Sequence, residues 1–572
     1  MRKSIATPSV NNMHHFHPAA LLRPISELAR KSARFIAGYP YELQLASSII
    51  LGLLLSTSFF YGPSPIYGAD NYIYADLGYL ISRGQVGAVV TQGILAQQYL
   101  LLFGIALFYD LFGVGSFQAA IFGVASFIAT IIVTYMIGSE LYDKRAGAAS
   151  AFLYSFIPIA VINSSNVGDN GPMALVASLS VLMLVKGMKR QPEHRRAYML
   201  SGFLSLIGVL VTSQAAVISV ACAILLLLNL AWYRDKEALH GIKFYVEGLA
   251  WAAIMMLLIG LTDGNGPLYI FTINSSTYSS LNLPTNQFHS YIEWIFPLGV
   301  YGPLLQLARI AASGTLTAHA AAIVLSPFSS TLKMIIMAGP PADTYYLGVG
   351  LFGYIAALSA LYLVIRKPKA AIVPLVWIAA TVLYLGYGTV SLTHYIPIGI
   401  AYPRFMLIFA PALAILAGCA AARIMEGERP GILSATKRLV LLALAIMLLA
   451  ASVAQIITMD MSEYRTVLPA AQIASFLESL PSNSIVYRGN IPLVEYLAYS
   501  RTILGFRLDN NGTCTFMEHG SYAVLPANAT IELLCGLRPV FRPNVPAYLG
   551  QYNLLSSSSF NYTDYAVYYR PG

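Results

Sequence analysis

The sequence predicts a polytopic α-helical membrane protein of about 11 spans, or about 13, with a small α/β domain after the last of them. Three observations carry this. Of 572 residues, 57% are hydrophobic and only 10% charged, with a mean hydropathy of +0.65; a soluble domain carries about 25% charge. Apolar runs approaching the roughly 20 residues that cross a bilayer recur along the chain. Between them, Lys and Arg collect in alternate short loops, as orientation signals do.

The chain divides into a basic tail (1–42), a membrane domain (43–459) and a polar C-terminal domain (460–572). The tail is expected in the cytoplasm. Its His14, His15 and His17 could bind a metal, but an unstructured tail accounts for them better. Leu43–Phe60 runs outward. No small-x-small cleavage site follows it, so it reads as a signal anchor. Residues 61–115 form a long outer loop, in which the short apolar stretch Tyr99–Leu111 reads as a helix lying at the interface. Phe117–Ile137, Ala146–Ile162, Pro172–Val185, Tyr198–Val211, Ala215–Trp232 and Phe244–Leu261 then cross in alternation. Residues 262–345 form a second long outer region, whose apolar pieces are either interfacial helices or one more pair of spans. Tyr346–Ile365, Ala371–Tyr387, Pro403–Ala422 and Leu439–Ile457 complete the set. Beyond it, Ala470–Leu480 and Ile491–Tyr499 have helical spacing. Ser484–Tyr487, Thr502–Leu504, Tyr522–Leu525 and Tyr565–Tyr569 read as strands of an extracytoplasmic α/β domain.

The net charge of +9 could suggest nucleic acid, but its placement excludes that class. The inner segments hold 23 of the 34 Lys and Arg, and only Arg83, Arg309, Lys333 and Arg404 fall in outer segments between spans. All five Asn-x-Ser/Thr sequons, at Asn163, Asn274, Asn511, Asn528 and Asn561, also fall on the side read as outer. Cys222 and Cys419 lie in spans as packing residues. Cys514 and Cys535 lie in the outer domain, where a disulfide between them is feasible.

The candidate chemistry gathers in three places. Asp70 lies in the charged and aromatic stretch Tyr67–Gly84, where the chain leaves the bilayer. A carboxylate near a dry cleft has a raised pKa and can act as a general base; an ordinary loop acid is the alternative. Asp169 lies in the short loop Asn163–Gly171. With Asp70 it could ligate magnesium or manganese, both hard cations, or it could simply be a turn residue. Arg404 opens a span after Tyr402-Pro403, beside His394 and Tyr395. Arginine at a helix N-terminus opposes the helix dipole, a cost that a bound phosphate would offset; snorkelling to headgroups is the alternative. Arg83 is a second candidate phosphate contact, or a helix end paired with Asp76.

These residues resemble the glycosyltransferase-C superfamily, in particular protein O-mannosyltransferases and aminoarabinose transferases. Gly68-Ala69-Asp70-Asn71-Tyr72 is similar to the family's first outer loop, with Asn71 standing where a second acid is usual. Leu141-Tyr142-Asp143-Lys144-Arg145-Ala146-Gly147, then Ile157-Pro158 and Asp169, carry the second likeness. Tyr402-Pro403-Arg404-Phe405 leading into Pro411–Gly418 carries the third, with Phe405 in place of the common Tyr. The family's proline-rich element is replaced by Gln97-Gln98-Tyr99, and no Trp-Trp-Asp-Tyr-Gly motif is present, so an oligosaccharyltransferase is not expected.

The resemblance implies an inverting hexosyl- or pentosyltransferase. It would take a sugar from a polyprenyl or dolichol phosphate carrier to an acceptor hydroxyl of a protein, glycan or lipid on the outer face. In that picture Asp70 is the catalytic acid residue, Asp169 a second acid, and Arg404 holds the donor phosphate with Arg83, Tyr402 and His394 near it. The other classes left open are a lipid-linked glycan transporter or flippase, and a non-catalytic membrane assembly protein. Few ionisable residues in the spans, and no matched halves, disfavour the transporter.

Overall fold

The computed structural model describes residues 40–57, 69–87, 98–164, 166–189, 194–233, 236–262, 351–387, 403–426, 432–481, 483–488, 503–505, 519–526, 536–544 and 565–571. The helices are α1 (Pro40–Thr57), α2 (Ala69–Ser82), α3 (Tyr99–Phe112), α4 (Ser116–Leu141), α5 (Lys144–Tyr154), α6 (Pro158–Ser164) and α7 (Asn170–Met188). They continue with α8 (His194–Ile207), α9 (Ala216–Tyr233), α10 (Lys236–Thr262), α11 (Leu351–Arg366), α12 (Pro368–Tyr387), α13 (Ala410–Met425) and α14 (Ile432–Ser479).

Among the described residues, five helices are long and apolar enough to cross a membrane, or six if the bent pair α5 and α6 is one span. Five more apolar helices are shorter, among them Pro40–Ser56, Ala216–Trp232 and Ala410–Met425. Exposed Trp251, Leu258 and Leu261 on α10 and Leu439, Leu442 and Ile446 on α14 form surfaces suited to lipid. The chain is an integral membrane protein.

The stretch expected as one span at Ala146–Ile162 is broken. Its two halves meet at a 65° bend over Ser155, Phe156 and Ile157. Pro158 lacks an amide hydrogen and disfavours helical geometry at the residue before it, which a hydropathy average does not register.

Small residues set the helix spacing. A Cβ at Gly202 of α8 would lie 2.0 Å from Tyr245 O of α10, and one at Gly248 of α10 would lie 1.9 Å from Met199 O of α8. Only hydrogen at both positions permits that backbone contact. A second junction joins α5 and α13, where a Cβ at Gly418 would lie 2.2 Å from Ser150 Oγ and 2.7 Å from Ser150 N. Buried hydroxyls add interhelical hydrogen bonds: Ser180 Oγ donates to Ser201 O at 3.0 Å, Ser201 Oγ to Ser180 O at 2.8 Å, and Tyr245 OH to Ser219 O at 3.2 Å.

The two ends of the bundle differ. At one end the Asp143 side chain caps α5, accepting from Ala146 N at 2.8 Å. Around it Lys144 pairs with Glu42 at 2.9 Å, Lys189 with Glu140 at 2.7 Å and Arg423 with Glu426 at 2.5 Å. Tyr142 OH also donates to Glu426, and Lys367 lies 5.7 Å from the Tyr142 ring centre.

At the other end α2 and α3 pack across the α6–α7 loop. Tyr74, Ala75 and Leu77 of α2, Leu102 and Ile105 of α3, and Val167 of the loop share one buried cluster with Ala470, Ile473 and Leu477 of α14. The five described strands, β1 (Val486–Arg488), β2 (Ile503–Gly505), β3 (Tyr522–Pro526), β4 (Arg538–Phe541) and β5 (Tyr565–Tyr569), form one mixed sheet. Its order is β2-β1-β3-β5-β4, parallel at β2-β1-β3 and antiparallel at β3-β5-β4. Alternate side chains Val486, Val524 and Val567 join the cluster under α14, while Tyr487, Ala523, Leu525, Ala566 and Tyr568 are buried on the opposite face. The sheet thus lies over the end of the bundle that holds α2 and the α6–α7 loop.

Candidate active site

Three acid- or arginine-bearing segments meet at this end. Asp70 stands in the first turn of α2, where a carboxylate suits the positive end of the helix dipole; its side chain lies outside the described residues. Its neighbour Asn71 is 4% exposed, and Asn71 Nδ2 donates to Asn166 Oδ1 at 2.5 Å. That bond fastens the start of α2 to the loop before α7.

The loop itself is held from below by α4. A Cβ at Gly123 would lie 2.5 Å from Ser164 O and 3.1 Å from Asn166 O, so the loop backbone rests directly on a glycine. Asn163 Nδ2 donates to Ile159 O at 2.8 Å, and Asn170 Nδ2 donates to Asn163 Oδ1 at 3.2 Å. Both polar ends of Asn163 are therefore engaged within the fold, so this sequon works as a packing residue. The other four sequons lie outside the described residues.

Asp169 directly precedes α7 and is only 3% exposed. Its carbonyl accepts from Met173 N at 2.9 Å, and its side chain does not cap the helix. Burial of a carboxylate is costly without donors or positive charge, and the positive end of α7 supplies part of that compensation. Next to it, Asn170 is 4% exposed and its Oδ1 is buried without a hydrogen-bond partner. These are oxygen donors, the type that suits magnesium or manganese. Among the described residues no group of three His, Cys, Asp or Glu side chains is close enough to hold a metal.

Arg404 lies in a 3-10 turn, Pro403–Ile408, that packs on α6 and α7 and leads into α13. It was expected in the first turn of a long helix, but the α-helix begins only at Ala410. The dipole cost assigned to Arg404 is correspondingly smaller. Its side chain is half-buried with Nε enclosed, and its guanidinium carbon lies 5.6 Å from the Phe405 ring centre. Arg83 is exposed past the end of α2, with its guanidinium carbon 5.3 Å from the Tyr79 ring centre, an ordinary surface cation–π contact. Tyr402, His394, Cys514 and Cys535 lie outside the described residues.

The structure thus brings the first turn of α2, the Asn163–Asn170 loop and the Arg404 turn to one end of the bundle. Sequence reasoning found the acids and Arg404 but passed over the amides. Their signal was present: Asn163, Asn166 and Asn170 crowd one short loop between two apolar helices, where amides have few solvent partners.

Residues 99–259 match the family model of dolichyl-phosphate-mannose-protein mannosyltransferase. No curated protein matches the chain in sequence. Among solved structures, ArnT from Cupriavidus metallidurans in the apo state aligns with a TM-score of 0.54 at 13% identity, over 93% of this chain and 98% of that one. The same protein bound to undecaprenyl phosphate aligns at 0.51 and 14% identity, over 92% and 97%. The archaeal oligosaccharyltransferase AglB from Archaeoglobus fulgidus, in complex with an inhibitory peptide and a dolichol-phosphate, aligns at 0.50 and 13% identity over 82% of this chain. The chain spans 65% of the length of that oligosaccharyltransferase. At such identities the likeness is one of fold. The chain thus shares the fold of these membrane proteins, and its segment 99–259 is similar to the mannosyltransferase family.

Proposed function

We propose that the protein transfers a sugar from a polyprenyl-phosphate carrier to an acceptor hydroxyl on the outer face of its membrane, with inversion at the anomeric carbon. The observation that supports this is that Asn71, beside Asp70, bonds to the loop holding buried Asp169, while the Arg404 turn packs on the helices flanking that loop. The mannosyltransferase-like segment and the fold shared with an undecaprenyl phosphate-bound transferase support the donor class. The opposite end carries Lys144, Lys189, Lys367 and Arg423, so the cationic side is read as cytoplasmic and the Asp70 side as outer. On this reading the chain crosses about 11 times and the sheet forms an outer domain.

Arg404 holds the carrier phosphate by charge-assisted hydrogen bonds and stabilises the charge that the leaving phosphate develops. Asp70 orients the acceptor hydroxyl and accepts its proton as the oxygen attacks the anomeric carbon, whose bond to the phosphate oxygen breaks on the opposite side. Asp169, with Asn170 Oδ1, lines the same end. With Asp70 they would be the residues to hold a magnesium or manganese ion, which would supply further electrostatic stabilisation of phosphate charge.

The test uses the purified full chain in lipid nanodiscs with dolichyl-phosphate mannose and a hydroxyl acceptor panel. Asp70→Asn is expected to abolish transfer while leaving the chain monodisperse. Full transfer by that variant would remove Asp70 from the chemistry. An inert wild type that scrambles the labelled lipid between leaflets would favour the flippase reading instead.

A further inference from the structure

We propose that Asn71 and Asn166 act as a positioning clasp that sets the two acid-bearing segments against each other; this rests on the transferase reading above. Asn71 adjoins Asp70, and Asn166 lies three residues before Asp169. Their side chains meet at 2.5 Å across 95 residues of sequence, and Asn71 is buried. Among the described residues, 166–169 is a run of bends rather than helix.

The surroundings are shaped to this contact. Gly168 lies beside it, and a Cβ there would stand at ordinary contact distance, 3.6 Å from Asn71 Oδ1 and 3.9 Å from Asn170 Nδ2. Gly123 lowers the loop onto α4 beneath it, and Val167 packs with Tyr74 and Ala75 one turn farther along α2. The bond is thus the polar member of a contact whose apolar members fix the same register.

Amides suit this task because each both donates and accepts without charge. A carboxylate at position 71 could still accept from Asn166 after its amide turns, but it would add a negative charge beside Asp70. Two like charges on adjacent residues would repel and disturb the placement of the Asp70 carboxylate. The clasp therefore fixes the spacing of the two acid-bearing segments without placing a further charge beside Asp70.

The charge logic gives a test that packing alone would not reproduce, because Asp and Asn have nearly the same shape. The full chain in nanodiscs is assayed for polyprenyl phosphate release from polyprenyl-phosphate mannose, glucose and aminoarabinose across pH. Asn71→Asp and Asn166→Asp each retain one donor and one acceptor, so each alone is expected to keep kcat within about tenfold of wild type. The double Asp variant sets two carboxylates face to face. Its kcat is expected to fall roughly 100-fold, the scale of a misplaced reacting group, with KM for the donor within about threefold. A double variant within about threefold of wild-type kcat overturns the clasp. Should the double variant not fold, Asn71→Leu, which removes the bond at similar volume, takes its place, and a kcat within about threefold of wild type overturns the clasp equally. A wild type that releases no polyprenyl phosphate from any of the three donors overturns the transferase reading and the clasp with it.

Discussion

Replacing Gly202 and Gly248 by alanine tests how closely the membrane helices are fitted. The two positions face one another across α8 and α10, and each added methyl meets a backbone oxygen, at 2.0 Å and 1.9 Å. Ordinary contact begins near 3.4 Å, so either substitution forces the helices apart by up to about 1.4 Å. A backbone carbonyl cannot swing aside as a side-chain tip can. The separation also strains the Tyr245 hydroxyl bonds, 2.9 Å to Ser205 Oγ and 3.2 Å to Ser219 O. We expect about 1–3 kcal/mol of destabilisation for either single variant. Because one displacement relieves both clashes, the double variant should cost little more than one alone. The departure from additivity should be of the order of 1 kcal/mol or more. Equilibrium unfolding in mixed micelles measures all three, with the lipid-facing Leu258→Ala as the control. Single costs below about 0.5 kcal/mol, or a double cost equal to the sum, would refute the close-packed crossing.

Two further predictions follow from the opposite ends of the bundle. Arg404→Ala should raise KM for the lipid-phosphate donor and lower kcat, with Arg404→Lys intermediate because it keeps charge but loses the planar fork; unchanged donor kinetics would remove Arg404 from the phosphate site. At the other end, the Tyr142 hydroxyl and then Arg423 hold the Glu426 carboxyl below its ordinary 4.5. Burial, then the Glu426 contact, push the Tyr142 phenol up to about 12, so it stays a donor through neutral pH. A depressed carboxylate stabilises above its unfolded pKa and loses that contribution as pH falls through the folded one. Tyr142→Phe should therefore lower the melting temperature at pH 7, with a gap that closes as pH drops below about 4.5. A gap constant with pH would assign the effect to ring packing.

Much of the helical framework was legible because hydropathy reports burial in lipid directly. Tyr99–Leu111 was readable as a separate short helix, and the structure places it at Tyr99–Phe112. Four of the five strands were readable from β-branched and aromatic runs. Arg538–Phe541 was not, because its Pro539 argues against a strand; it survives at the sheet edge, where a missing amide costs little. The break before Pro158 was written in one residue that averaging conceals. Asp169 was visible as an acid, but its burial was not, since that depends on α2, α4 and α7 meeting around it. The Asn71–Asn166 bond was hidden for the same reason: residue type shows that an amide needs a partner, and only the fold shows which.

The sequence also suggested a span ending at Ile457 and a separate domain starting near residue 460. Instead α14 continues without interruption from Ile432 to Ser479, with Pro469 inside it. The apolar face ends where the polar run Thr458–Thr466 begins, but the helical backbone does not. Its 48 residues make a rod of about 72 Å, of which about 33 Å lies beyond Ile457. The far section carries Ile473 and Leu477, which grip the sheet and the Asp70 helix together. Such a rod acts as a lever with its fulcrum in the bilayer. A 10° change in tilt would sweep its tip by about 6 Å, close to the rise of one helical turn. A tilt of the apolar section to match bilayer thickness would therefore carry the sheet and the Asp70 helix with it.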